Sequence, residues 1–387
     1  MNSSTAISIL LCQFEAWCNY EVIGVYIKQK SINTYKPMYG CENGFNSFIV
    51  LSMIIDDSVY IYEALKFYRT LISKDITEIE QATEYLDLKV VRNNIHTFYK
   101  RGGYKNKSNT IISEKLSEFG MDKQDFLYPL RNDISLVFQI TDKTRHLIGC
   151  DYFFKHCIYE TNNREWEGDR LTKYGEFVSG TISGFTKASD ETAYNIISLP
   201  IGKDEIRIEL FDYKSADLFV RINASKNIIF RLLLTLSQIS YGILLVDCLI
   251  DKEITFKDDL WMCFLTKILA LKYDEAFDNI SSLLTYADVE DKAFIEEMLK
   301  SSHIDMNTLS ARQFAQRLRN TIHYENIEFV KDFAKENTTA SWIRAIYLSN
   351  STAQNMDEFR ELSDNLLGEL KLLQCAIQKA FSLDKSY

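Results

Sequence analysis

Residues 76–103 read ITEIEQATEYLDLKVVRNNIHTFYKRGG, and this stretch decides the fold class. Its apolar side chains Leu88, Val91, Ile95 and Phe98 recur at intervals of three and four, which is the spacing of one face of an α-helix. The segment follows an Asp-x-x-Glu capping box and ends in two glycines, which commonly terminate helices. The sequence therefore predicts a long amphipathic helix here.

The composition extends this prediction to most of the chain. The 387 residues include 3 prolines, whereas about 5% is ordinary, and proline is the residue that helices tolerate least. Hydrophobic residues make up 46% and charged residues 25%, as in globular and not in disordered proteins. The formal charge of −10 excludes a generally basic protein that coats nucleic acid, so any nucleic-acid site must be a local patch.

The pattern along the chain predicts a mainly α fold, with helical bundles and a small antiparallel β insertion. Residues 1–165 form an N-terminal helical region, in which 45–71 is a long helix that pairs with 76–100 in antiparallel fashion. Residues 166–225 form the β-rich insertion, and residues 226–387 form a C-terminal helical bundle. The predicted strands of the insertion are 176–184, 193–201, 205–213 and 218–222. The helices predicted in the last region include 256–273, 308–325 and 354–381.

The longest apolar run, 228–250, contains Arg231, Gln238 and Asp247. These polar residues predict a buried core helix and not a membrane span. The eight cysteines are scattered without a CxxC pair, and no basic segment precedes the first apolar stretch. We therefore expect a reduced, cytoplasmic chain with no membrane partner.

One six-residue frame occurs twice, far apart in the chain. Residues 91–96 read VRNNIH and residues 318–323 read LRNTIH, while an imperfect third copy at 130–135 ends in Ser instead of His. Within a helix, the Arg and His of each frame would be four residues apart and would share one face, beside the apolar stripe. Both polar groups would then emerge at the edge of the core.

This residue pair suits the cleavage of RNA without a metal ion. A histidine near neutral pH can assist the attacking 2′-hydroxyl or protonate the leaving oxygen. An arginine matches a phosphate group and neutralises charge in the transition state, and an asparagine can orient the substrate. The predicted acid/base groups are His323 and His96, the phosphate binders are Arg319, Arg317 and Arg92, and the orienting groups are Asn320 and Asn93.

Basic and aromatic residues surround the first frame, and no acidic residue occurs between Asp87 and Glu114. Cationic groups attract phosphates and aromatic rings stack on bases, so single-stranded RNA is the expected partner. The alternative is that the basic run is simply a solvated face. The predicted RNA-binding residues are Lys89, Lys100, Arg101, Tyr104, Lys105, Lys107 and Arg312.

The two intact frames resemble the signature of the HEPN superfamily, whose helical domains include many metal-independent RNases of toxin and antiphage-defence systems. That signature is an Arg, usually followed by a polar residue, and a His after four to six intervening residues. The spacing from Arg317 to His323 fits, with five intervening residues, whereas Arg319 is separated from His323 by three.

The resemblance covers residues 45–104 and 228–326 and implies a shared cleft. Members of the superfamily commonly dimerise so that two motifs face each other. One chain would then carry its own pseudo-dimer, with His96 and His323 at a common cleft, or two chains would form a homodimer.

Other site classes are disfavoured by the sequence. The segment from His146 through Cys150 to His156 and Cys157 has metal-ligand residue types, and His146 and Cys150 would share a helix face, but its aromatic neighbours favour a packed helix and no metal. P-loop, Rossmann, GxSxG and HExxH motifs are absent, so no cofactor is expected. The competing interpretation is a non-catalytic interaction protein, such as an immunity, antitoxin or sensor subunit, which holds a protein partner on an acidic helical surface.

Overall fold

The chain is mainly α-helical in the part that the computed structural model describes. The described residues are 3–28, 30–33, 47–71, 83–99, 133–141, 144–150, 168–187, 205–214, 222–249 and 258–383. The helices are α1 (Ser3–Lys28), α2 (Ser47–Leu71), α3 (Thr83–Tyr99), α4 (Gly168–Lys187), α5 (Lys226–Leu244), α6 (Asp259–Tyr286), α7 (Val289–Ser301), α8 (Arg312–Asn320), α9 (Thr339–Ser349) and α10 (Met356–Ala380). The strands are β1 (Lys30–Asn33), β2 (Asp133–Thr141), β3 (Thr144–Cys150) and β4 (Glu205–Lys214).

The two long N-terminal helices form where the apolar spacing predicts them. Helices α2 and α3 pack against each other, and Leu88 and Val91 of α3 are fully buried. The side chains of Ile95 and Phe98 lie outside the described residues. The apolar stripe of α3 thus faces the core, as its spacing requires.

Helix α5 is the buried core helix that the long apolar run predicts. The segment Asn227–Asp247, with a mean hydropathy of 1.8, is long and apolar enough to cross a membrane. It is nevertheless 100% buried inside the protein. Its polar residues have partners. Arg231 donates to Asn227 at 3.1 Å, Gln238 accepts from Lys272 at 2.6 Å, and Asp247 pairs with Lys371 at 2.5 Å.

Helix α6 is the centre of the described structure. It begins at the N-cap Asp258, whose carboxylate accepts from the Leu260 amide at 2.9 Å, and it continues well past the predicted end at residue 273. Buried residues occur on every side of it, which is the pattern of a helix surrounded by other helices. It contacts α1, α3, α5, α7, α8, α9 and α10.

A four-stranded sheet accompanies the helices, in the order β1-β4-β2-β3. Strand β1 is parallel to β4, whereas β2 is antiparallel to both β4 and β3. Strand β4 occupies the predicted position, but β2 and β3 lie in a region for which helix was predicted, and that prediction was wrong. Leu136 and Phe138 are both fully buried, so β2 follows the two-residue period of a strand. The sheet packs through β3 on α5 and α2.

The prediction of a strand at 176–184 is wrong, because these residues belong to α4. Tyr174, Val178 and Ile182 recur at intervals of four and are all buried, and this helical period outweighs the local β-propensity. The predicted strand 193–201 lies outside the described residues, as do all but the last residue of 218–222.

The C-terminal helices follow their predictions, with one shortened. Helix α10 matches the prediction for 354–381, while α8 covers only the middle of the segment predicted at 308–325. In the imperfect third frame, residues 133–135 begin β2 and are not helical, while residues 130–132 lie outside the described residues. Buried side chains from all three predicted regions join one hydrophobic core within the described residues, and the division of the chain into those regions remains a prediction.

Candidate active site

The two intact frames differ in their backbone structure. Arg92, Asn93 and His96 lie on α3, although the side chain of His96 is outside the described residues. In the second frame α8 ends at Asn320, and the amide of His323 donates to the Asn320 carbonyl at 3.1 Å in a turn. The prediction that the second Arg and His share a helix face is therefore wrong. We call residues 321–324 the histidine turn.

Glu63 of α2 joins the two frames. Its Oε1 accepts from Nη2 of Arg92 at 2.9 Å, and its Oε2 lies 3.2 Å from Nδ1 of His323. The Glu63 side chain is 2% exposed, whereas those of Arg92 and His323 are 25% and 38% exposed. A buried carboxylate thus holds two partly exposed groups from distant parts of the sequence.

Lys66 and Glu325 complete the polar rim. Nζ of Lys66 lies 3.5 Å from Glu63 and 2.9 Å from Glu325, and its side chain is 45% exposed. We refer to Glu63, Lys66, Arg92, His323 and Glu325 as the Glu63 cluster. It places a histidine and two permanent cations around one buried anion.

The cluster keeps its carboxylates ionised. Burial of Glu63 opposes ionisation, but the hydrogen bond and charge of His323, together with Lys66 and Arg92, outweigh it and lower the pKa of Glu63 below its usual value. Burial likewise opposes ionisation of Glu325, and the hydrogen bond from Lys66 outweighs it, so the pKa of Glu325 is lowered. The hydrogen bond to Glu325 in turn raises the pKa of Lys66.

Aromatic side chains orient the arginine. The Arg92 guanidinium lies 5.2 Å from the centre of the Tyr62 ring, and that ring stacks on Tyr85 at 6.5 Å. Nη1 of Arg92 also donates to Asn93 at 3.3 Å. Arg92 is therefore fixed by an anion on one side and an aromatic face on the other.

A buried network supports the histidine turn from beneath. The Tyr324 and Tyr347 hydroxyls donate to Glu15 at 2.5 Å and 2.9 Å, and Nζ of Lys267 donates to both Glu15 oxygens at 2.6 Å. Lys267 also donates to the carbonyl of Thr321 at 3.3 Å. We call Glu15, Lys267, Tyr324 and Tyr347 the Glu15 network. It anchors the turn at two points and so fixes where His323 emerges.

The other site residues predicted near His323 do not join the Glu63 cluster. Arg319 pairs with Asp274 at 2.9 Å, and Arg317 donates to the carbonyl of Ser351 at 2.9 Å. Asn320 is exposed. These arginines tie α8 to its neighbours, and within the described part of the chain neither pairs with a member of the Glu63 cluster.

The predicted RNA-binding residues are only partly described. Lys89 is exposed on α3, and Arg312 lies 3.8 Å from Asp278 with 37% of its side chain exposed. Lys100, Arg101, Tyr104, Lys105 and Lys107 lie outside the described residues.

Sequence reasoning missed Glu63. The sequence does contain a sign of its role, because Glu63 is an acidic residue within an apolar helix face. Tyr60, Ala64 and Phe67 of that face are all buried. A charge is rarely buried without partners, so the position of Glu63 on this face indicates that cations from elsewhere in the fold contact it.

The metal-ligand residue types do not gather into a site in the described part of the chain, where no group of three or more His, Cys, Asp or Glu is suited to a metal ion. His146 and Cys150 lie on β3 and not on the predicted helix. His146 is buried and accepts a hydrogen bond from Nε2 of Gln374 at 3.1 Å, and burial lowers its pKa to about 4. His156 and Cys157 lie outside the described residues.

Comparison with known proteins identified no relative: no family model, curated protein or solved structure matches the chain.

Proposed function

We propose that this protein binds single-stranded RNA and cleaves it without a metal ion at the Glu63 cluster, within a toxin or antiphage-defence system. The observation that carries the proposal is the meeting of His323 and Arg92 on one buried carboxylate. The resemblance of the frames to HEPN domains supports the same reaction class. The protein would act in the cytoplasm, as an intrachain pseudo-dimer or a homodimer.

The hydrogen bond to Glu63 sets the chemistry of His323. A carboxylate accepts from Nδ1–H, which leaves Nε2 as the basic nitrogen of a partly exposed ring. Nε2 can take the proton of a 2′-hydroxyl as its oxygen attacks phosphorus. The proton can then pass to the departing 5′-oxygen, which leaves a 2′,3′-cyclic phosphate and a 5′-hydroxyl.

The neighbouring cations match the charge that develops on the phosphate. Arg92 has five N–H donors, so it retains donors beyond its contacts with Glu63 and Asn93. Lys66 lies at the exposed rim. We assign transition-state stabilisation to Arg92 and Lys66 because Arg319 and Arg317 are engaged within the fold. His96, on the same helix as Arg92, remains the second acid/base candidate.

A pair of identical substitutions tests the assignment. His323→Asn removes the titratable imidazole but retains a side-chain hydrogen-bond donor for Glu63. His303→Asn makes the same change at an exposed residue with φ of 57°, where asparagine is tolerated. Wild type and His303→Asn, incubated with total RNA in EDTA, should generate fragments with 5′-hydroxyl ends, and His323→Asn should not. Equal fragment yields from both variants would refute the role of His323.

The competing function is a non-catalytic interaction protein, and one observation favours it. Arg319 and Arg317, the arginines nearest His323 in the sequence, form contacts within the fold. Under this interpretation the frames stabilise helix packing and the surface holds a protein partner. A wild-type protein that leaves RNA intact, both with EDTA and with Mg²⁺, would support this function over cleavage.

A further inference from the structure

A pocket lies beneath the histidine turn, against α1, α2 and α6. It has a volume of about 60 Å³, and Ile322 and Tyr324 of the turn form part of its wall. Because a water-sized group needs roughly 10–15 Å³ of such volume, the pocket has room for about five non-hydrogen atoms. Apolar side chains of Val59 and Leu271 line it beside the polar groups described next.

The charges around this pocket do not balance. Glu15 is matched by Lys267, and Asp56 is matched by Lys272. Glu275 also lines the pocket, and among the described residues it forms no ion pair or hydrogen bond. Arg319 also attracts Glu275, but it is paired with Asp274. Glu275 is therefore left without a cation in direct contact, and when it is ionised its charge is not matched by a partner of its own.

A second acceptor in the pocket wall is also unsatisfied. One oxygen of Asp56 pairs with Lys272, whereas Oδ2 is buried and has no hydrogen-bond partner among the described residues. The side chain as a whole is 20% exposed. A buried acceptor without a donor is unfavourable, but Oδ2 is closed off from the pocket, so a ligand there does not reach it. Glu275 is therefore the pocket carboxylate that is open to a ligand.

We propose that this pocket binds a small organic monocation, a primary alkylamine whose ammonium group lies against Glu275 and whose alkyl chain packs on the apolar wall. An ammonium group offers three donors and one positive charge, which match the unpaired carboxylate of Glu275. The volume fits n-butylamine, which has five non-hydrogen atoms. The proposal goes beyond RNA cleavage and does not depend on it.

The charge of the ligand is the discriminating property. n-Butanol has the same size and apolar body, but it leaves Glu275 uncompensated. n-Butyrate adds a second uncompensated anion to the pocket, and burial of unpaired like charges is strongly unfavourable. The pocket should therefore bind butylammonium in preference to the alcohol and should not bind the carboxylate.

Protonation of Glu275 gives a second readout. Burial raises the pKa of Glu275 to about 7, against the lowering effect of Lys272 and Arg319, and Asp56 and Asp274 raise it further. The ionised fraction of such a group rises about tenfold between pH 6 and pH 8. The affinity for butylammonium, which stays protonated throughout, should rise by a similar factor.

Isothermal titration calorimetry of the full chain with n-butylammonium tests the proposal. Wild type should bind it saturably and more tightly than n-butanol, and Glu275→Gln should weaken binding about tenfold, which corresponds to the loss of one charge-assisted contact. Glu361→Gln, at an exposed position of α10, should leave binding unchanged. Equal binding of amine and alcohol by wild type, unaltered binding by Glu275→Gln, or no saturable binding of butylammonium would overturn the proposal.

Discussion

The Glu15 network makes a quantitative prediction for the variant Lys267→Met. Lys267 and Glu15 are 4% and 2% exposed, and the ammonium group contacts both carboxylate oxygens. Methionine fills similar space but leaves the carboxylate with only two tyrosine hydroxyls as donors. Removing one partner of a buried ion pair costs about 3–5 kcal/mol of unfolding free energy.

The loss should be large on the scale of the whole protein. Native proteins are stable by about 5–15 kcal/mol, so Lys267→Met would remove a substantial fraction of that margin. It would also remove the donor to the Thr321 carbonyl and loosen the histidine turn. The double variant Glu15→Gln with Lys267→Met removes both charges, while the Gln amide can accept from one tyrosine hydroxyl and donate to the other, so it should recover most of the loss.

Urea unfolding followed by circular dichroism measures these differences. The exposed control Lys300→Met should change the unfolding free energy by less than about 0.5 kcal/mol. A Lys267→Met variant within about 1 kcal/mol of wild type would contradict the argument from burial. So would a double variant as unstable as the single one, because the loss would then not arise from an unpaired charge.

Three further predictions concern stability, and urea unfolding checks each of them. Asn355 caps α10 by accepting from two backbone amides, so Asn355→Ala should cost about 1 kcal/mol, and an unchanged midpoint would contradict the cap. Phe314 is 1% exposed and packs edge-to-face on Phe359 at 5.1 Å, so Phe314→Ala should cost about 3–5 kcal/mol, and a loss below about 1 kcal/mol would contradict its core role. Burial lowers the pKa of folded His146 to about 4, below the unfolded value of 6.5, so the unfolded state binds more protons between these values and stability falls as pH falls through this window. Between pH 6.5 and pH 5 wild type should lose about 1.6 kcal/mol more than His146→Gln, and parallel pH profiles would refute this.

Much of the helical architecture could be predicted because its signal is local and periodic. The bounds of α2 and α10 lie within two residues of their predictions, and the long apolar run is buried as its polar interruptions indicate. The wrong prediction of a strand at 176–184 also relied on a local signal. In residues 176–184 β-branched and aromatic residues suggested strand, but the four-residue recurrence of Tyr174, Val178 and Ile182 decided for helix.

The sheet was located only in part because pairing partners are distant in sequence. Strand β4 lies in the region predicted to be β-rich, but it pairs with β2 and β1, which come from the region predicted to be helical. The alternation of Leu136 and Phe138 was a usable signal for β2. No local pattern could have identified its partner strands.

The candidate site shows the same division between local and distant information. The repeated frame singled out Arg92 and His323, whose side chains contact the same carboxylate. The prediction that the second frame is helical to its end was wrong because α8 ends before His323. Tyr324, at the end of the histidine turn, is buried and donates a hydrogen bond to Glu15. Glu63, which joins the two side chains, belongs to neither frame and required the tertiary structure.

A double-variant cycle on the RNA cleavage rate tests most directly whether Glu63 acts through His323. Glu63→Gln, His323→Asn and the double variant would be compared with wild type in EDTA, with folding checked by circular dichroism. If Glu63 positions His323, each single variant should lower the rate strongly, and adding Glu63→Gln to His323→Asn should lower it little further. Independent, additive effects, or a wild-type protein that cleaves no RNA, would contradict a catalytic site built on this buried carboxylate.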